Sequence, residues 1–236
     1  MIKSISKYLI ILILLILSVP INAKAETYDV TSADLNIELD DNWYVFTRDN
    51  IKDNDKLQSL GSSYESMLEL FEQNDAYING IKKDAKSELF LRIKEIHNIN
   101  NLSNYSNKYV KELSKEIAKL ANTDNYDIYK NKNKYTLINY YDEQNKFYII
   151  SYYTIVNRKG YTFTMQSTQE FTKKEEKEFK NIIDSIEYKI DKNYKYEENT
   201  TKGITKDNII KSGIIGIVLG GLIGGTIVFI KLKKKK

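Results

Sequence analysis

Leu35, Ile37 and Leu39 alternate with polar neighbours, the pattern of a strand with one buried face. Asp40, Asp41 and Asn42 read as a turn, and residues 43–47 return as a second strand, so a hairpin is predicted here. The period then changes. Leu57, Leu60, Tyr64, Met67, Leu68 and Phe71 recur at helical spacing and predict an amphipathic helix over 55–73. Two strands are expected near 76–82 and 88–95. Val110, Leu113, Ile117 and Leu120 mark a second helix over 104–121 with one apolar stripe. Four strands follow near 126–130, 134–141, 146–156 and 161–168. Residues 148–156 are apolar on both faces, which places that strand centrally in a sheet. Thr172 stands three before Glu175 and ahead of Phe179, Ile182, Ile183 and Ile186, a capping box that opens a third helix. A short strand at 187–190 closes the series. Hairpin, helix, hairpin, helix, meander, helix is the order of an α+β domain, an antiparallel sheet covered by helices.

Both ends of the chain break this pattern. Lys3 and Lys7 precede the apolar run 8–17, Pro20 ends it, and Ala23 and Ala25 supply small residues for signal peptidase. Residues 1–25 thus read as a secretory signal, with cleavage before Glu26. At the other end, residues 209–230 make a helix of about 33 Å, which matches a hydrocarbon core of about 30 Å. Lys231, Lys233, Lys234, Lys235 and Lys236 follow and hold residues 231–236 in the cytoplasm by the positive-inside rule. Sortase attachment requires a proline-containing motif, and the sole proline is Pro20; a lipoprotein requires a cysteine, and the chain has none. The expectation is a single-pass plasma-membrane protein with residues 26–190 outside. Residues 191–208 are polar and without apolar period, which predicts a flexible stalk of about 24 Å as a random coil.

Charge refines the picture. The chain carries a formal +4, yet residues 26–211 hold 28 cations and all 32 acids, a net −4. A mildly acidic segment with no basic block argues against nucleic acid as a partner. Without cysteine, an exported domain is held by its core alone. Three arginines beside 33 lysines suit an AT-rich genome, and the whole suggests a Gram-positive bacterium.

Candidate chemistry is sparse. His97 is the only histidine; no G-x-S-x-G elbow surrounds a serine, and zinc seldom accepts carboxylates alone. His97 reads as a solvated loop residue. Asp49, Asp53 and Asp55 lack the glycine and the ligand spacing of an EF-hand and read as a helix-capping loop. Lys108, Lys111, Lys115 and Lys119 interleave with Glu112 and Glu116, a solvated helix face rather than an anion site. Tyr148, Tyr152 and Tyr161 fall in strand patterns and read as packing rather than as a sugar platform. No metal, cofactor or catalytic residue is expected.

Two stretches resemble the PsbP-like family. "LNIELDDNWYV" is similar to that family's opening, with Asp41-Asn42 where a proline commonly precedes the tryptophan. "GYTFTMQS" followed by "FTKKEEKEFKNIIDSIEY" is similar to its closing strand and helix. The resemblance spans 28–190 and implies a PsbP-like fold and a binding or accessory scaffold. The function expected is therefore a membrane-anchored extracytoplasmic binding or accessory module, not an enzyme. The alternative is a cell-envelope hydrolase whose carboxylates cannot be paired from sequence.

Ser212, Gly216, Gly220 and Gly224 recur every four residues along the membrane span. Small residues at that spacing let two backbones approach closely in lipid, so a second copy or a partner helix is expected against this stripe. Gly220→Ile is expected to abolish a crosslinkable species in membranes, and Ile217→Leu to leave it intact. A wild-type helix that crosslinks to nothing contradicts the expectation.

Overall fold

The computed structural model describes residues 25–96 and 99–189. Ten strands form two antiparallel sheets. The larger contains seven strands in the order β3 (Trp43–Thr47), β4 (Ala76–Lys82), β5 (Ser87–Glu95), β9 (Lys159–Ser167), β8 (Phe147–Val156), β7 (Lys134–Asp142) and β6 (Tyr126–Lys130). The smaller sets β2 (Leu35–Asp40) between β1 (Ala25–Val30) and β10 (Glu187–Tyr188). The helices are α1 (Lys56–Ser59), α2 (Tyr64–Gln73), α3 (Asn107–Leu120) and α4 (Lys173–Ser185). The antiparallel α+β arrangement expected from the sequence is present. Among the described residues no helix is long and apolar enough to cross a membrane; residues 209–230 lie outside them.

Several expectations need correction. The hairpin at 35–47 does not form: β2 joins the small sheet and β3 pairs with β4. Twisted two-residue hairpins need left-handed residues at the turn, and neither Asp41 nor Asn42 takes a positive φ. Asp40 Oδ1 instead accepts from Asn42 N–H at 3.0 Å, bending the chain from one layer to the other. The contrast is Asn157-Arg158 between β8 and β9, where φ is 51° and 61° and the strands do pair. The helix expected over 55–73 is two helices, parted at Gly61, whose φ is 66°. The centre of the sheet is β9, with β8 beside it. β1 was not expected from sequence, since its burial is confined to its end at Val30 and an exposed edge strand leaves little alternation to read.

The large sheet is covered on both faces. On the first, Ile78, Leu91, Phe163 and Tyr152 stand opposite one another across β4, β5, β9 and β8. Leu35, Ile37 and Leu39 of β2 and Phe179, Ile182 and Ile183 of α4 share this core. On the second, α1 and α2 bury Leu57, Met67 and Phe71 with Phe46 and Phe90. At the far side of that same face, α3 buries Val110, Leu113 and Ile117 with Ile138, Tyr153 and Ile155. The helix starts are locally encoded. Ser63 and Ser106 accept from Ser66 and Tyr109 N–H at 3.2 Å each, and Thr172 with Glu175 forms the expected capping box.

Trp43 links the layers. Its Nε1 donates to Glu178 Oε1 on α4 at 3.0 Å, and Lys82 Nζ reaches Glu178 Oε2 at 2.7 Å. Its ring lies over Gly80, where an added Cβ would meet Trp43 Cε3 at 3.3 Å and Leu89 Cβ at 3.4 Å. Gly80→Val overpacks this contact and is expected to cost about 2 kcal/mol. For a domain of this size that is a fall in Tm of roughly 6 °C, readable by thermal denaturation. An unchanged Tm refutes the close fit.

Candidate functional site

β5 carries the sequence Ser87-Glu88-Leu89-Phe90-Leu91-Arg92-Ile93. Leu89, Leu91 and Ile93 face the first core, so period-two geometry turns Glu88, Phe90 and Arg92 to the second face. That face is buried too. α2 shields one side and α3 the other, and between them the sheet presents Glu88, Arg92, Ser151, Thr162, Thr164 and Gln166, all buried. This polar strip, bounded by two apolar clusters, is where the described domain departs from ordinary core composition.

Glu88 is its centre and has no exposed surface. Its oxygens are held from both sides of the strand. Asn79 Nδ2 on β4 donates to Oε1 at 2.8 Å, and Gln166 Nε2 on β9 donates to Oε2 at 3.0 Å. Gln166 is its direct cross-strand partner, as is Ile81 on the other side. Loss of solvation raises the Glu88 carboxyl to about 8. The two amides and the Arg92 charge oppose that rise without cancelling it. Arg92 lies 5.6 Å over the Phe90 ring, and burial lowers its guanidinium to about 10 against the attraction of Tyr140, Asp75 and Glu88. At neutral pH the strip thus holds a protonated acid beside a cation. A protonated carboxyl must donate. Asn79 Oδ1, buried and without a hydrogen bond, supplies an acceptor if the amide turns over.

The residues singled out from sequence do not meet at this strip. His97 lies outside the described residues. Asp49 Oδ2 accepts from Ser32 N and Oγ at 3.2 and 3.0 Å, and Asn54 Oδ1 accepts from Lys56 N–H at 3.1 Å, so this loop anchors chain segments. Among the described residues no three of His, Cys, Asp and Glu are grouped to hold a metal ion. Lys119 bonds Glu116 at 3.0 Å along α3. Tyr152 packs edge-on to Phe179 at 5.1 Å and Tyr161 to Tyr188 at 4.8 Å, so both are core. Tyr148 lies 4.8 Å from the exposed Tyr141. Ala25 and Glu26 open β1, opposite Asp40 and Leu39. Ala23, the stripe Ser212, Gly216, Gly220 and Gly224, and the lysines from 231 onward lie outside the described residues.

Sequence reasoning passed over Glu88, because a charged residue alternating with leucines reads as the wet face of a half-buried strand. The available signal was the run of apolar residues on β8: a strand buried on both faces implies neighbours that are buried on both as well.

No family model and no curated protein matches the chain. Among solved structures it is similar to the solution structure of cyanobacterial PsbP (CyanoP) from Synechocystis sp. PCC 6803, a member of the family named above. Identity is 12%, covering 72% of this chain and 95% of that one, with a TM-score of 0.44. It is also similar to a crystal structure from Bacteroides thetaiotaomicron, at 11% identity, 69% of this chain, 47% of that one and a TM-score of 0.39.

The Glu88 carboxyl sits at about 8 folded against an ordinary value of 4.5, so the folded chain holds one proton more than the unfolded chain between these limits. Its contribution is fully present below pH 4.5 and declines as pH rises towards 8, by an amount on the order of a few kcal/mol. Glu88→Gln is expected to flatten that decline and to raise the urea midpoint above wild type at pH 8 to 9. Equal pH slopes for the two proteins overturn the assignment.

Proposed function

We propose that the chain is a membrane-anchored extracytoplasmic binding or accessory module that works close to the outer face of the plasma membrane. The observation that carries the reading is where the chain leaves the domain. β10 pairs with β2 at Glu187 and Tyr188, and Lys189 N–H bonds Asp34 O at 2.7 Å, so the exit lies at one end of the small sheet. Nineteen residues then separate Lys189 from the 209–230 span. A signal at 1–25 and a stop-transfer run closed by lysines complete the topology.

Binding is favoured over catalysis by what the perturbed groups are doing. A catalytic acid must reach the proton it transfers. Glu88 has both oxygens engaged by amides and no exposed surface, so its protonation acts on the interior of the sheet.

The test uses the full chain extracted from membranes. Retention through an alkaline carbonate wash is expected, with Glu26 as the mature N-terminus by mass spectrometry and no turnover of envelope polymers. Release by the wash overturns the anchor. Turnover that single Asp or Glu substitutions abolish overturns the non-catalytic reading in favour of a cell-envelope hydrolase.

A further inference from the structure

The polar strip on the second face is rich in hydrogen-bond donors. α2 packs on β4 and α3 on β6 and β7, so the two helices stand to either side of β5, β9 and β8. From β4 to β7 is four strand spacings, about 19 Å, whereas helices in contact lie about 8–10 Å apart. α2 and α3 accordingly bury separate apolar clusters, and the strip runs along the floor between them. Phe90, Thr164 and Ser151 stand directly opposite one another across it, and Arg92 faces Thr162 two residues further on. The Arg92 guanidinium lies over the Phe90 ring and thus one strand from Thr164. Thr162 has no exposed surface, and its Oγ1 is without a hydrogen-bond partner. Ser151 Oγ and Thr164 Oγ1 are 3.3 Å apart, so one hydroxyl donates to the other and the second keeps a proton to give.

Charge and burial narrow what such a site takes. Glu88 has both oxygens on amides and keeps its proton to about pH 8, so Arg92 is the charged group among these residues. Asp75 acts on Arg92 from the start of β4, but it is exposed and water screens it. A guanidinium presents five N–H donors in a planar fork that matches the two oxygens of a carboxylate. A buried hydroxyl without an acceptor costs free energy that a bound anion recovers. One cation balances one negative charge, and a phosphate dianion would bring a second into a dry site. Metal cations are repelled by the same guanidinium. We propose that the strip between α2 and α3 binds a small monocarboxylate, whose oxygens accept from Arg92, Thr162 and the Ser151–Thr164 pair. Glu88, engaged by Asn79 and Gln166, stays outside the contact. The proposal gives a chemical class to the ligand of the binding module proposed above and rests on that reading.

The probe is acetate, titrated into the full chain in detergent at neutral pH and followed by thermal denaturation. Above its Kd, each tenfold increase in acetate is expected to raise Tm by roughly 4 °C. Sulfate and phosphate at the same ionic strength are expected to give a clearly smaller rise. Thr162→Val keeps the shape of the side chain and removes the unpartnered hydroxyl. It is expected to fold with an acetate-free Tm no lower than wild type, which a structural hydroxyl would not allow. Its acetate affinity is expected to fall about tenfold, the worth of one charge-assisted hydrogen bond. Arg92→Gln is expected to abolish the response, and Thr162→Val keeps the test decisive if that variant does not fold. A Tm that acetate leaves unchanged overturns the site. An equal rise for all three anions reports screening alone and overturns it too, as does a Thr162→Val response equal to wild type. Each of these results leaves the binding reading standing. Turnover of envelope polymers that single Asp or Glu substitutions abolish overturns that reading, and with it the proposal that rests on it.

Discussion

The arrangement depends on one constraint: the middle strands of the seven-stranded sheet have to be dry on both faces. Side chains on β5, β9 and β8 alternate between faces, and nearly every one of them is buried. No single layer can satisfy such strands. The first face takes β2 and α4, and the second takes α2 and α3. This is why β2 leaves the plane of β3 although only two residues separate them. It also explains why position 80 is glycine, since the indole that joins the two layers occupies the space of its missing side chain.

The polar strip is a consequence of the same constraint. Two separate helices cover the second face, and the strands beneath the region between them carry Glu88, Thr164 and Gln166 there. Burying a carboxylate is costly, and the structure answers by holding Glu88 with two amides and keeping its proton to about pH 8. A leucine would fill the space with less cost in desolvation, but would leave the Asn79 and Gln166 amides without their acceptor. The three residues therefore stand or fall together. They tie β4, β5 and β9 in register by side-chain bonds as well as by the ladder.

Charge at the end from which the chain leaves is mixed, with Asp29, Asp34, Asp184 and Glu187 beside the lysines. The lysines of the β6–β7 turn and of β5 gather at the end from which the chain leaves, where the ladder brings Lys94, Lys130 and Lys134 to one level. The positive net charge of the whole chain is set by the lysines at the two termini.

The sequence by itself determined the local pieces: the capped helix that opens at Thr172, the helix at 104–121, the strands 76–82, 126–130, 134–141 and 146–156 to within a residue or two, and the antiparallel α+β class. Each follows from contacts within a few positions, such as the Thr172–Glu175 box or the alternation along β2. The export and anchoring proposals rest on runs of composition at residues that lie almost wholly outside the described ones. What only the tertiary structure decided is which strands share a sheet and which polar residues are dry. The bend at Asp40–Asn42 resembles a hairpin until the backbone shows no left-handed residue there. Glu88 resembles a solvated strand residue until α2 and α3 close over its face from segments before and after it. Burial on the second face is a property of which distant elements pack upon it, and a period of two along one strand carries no information about them.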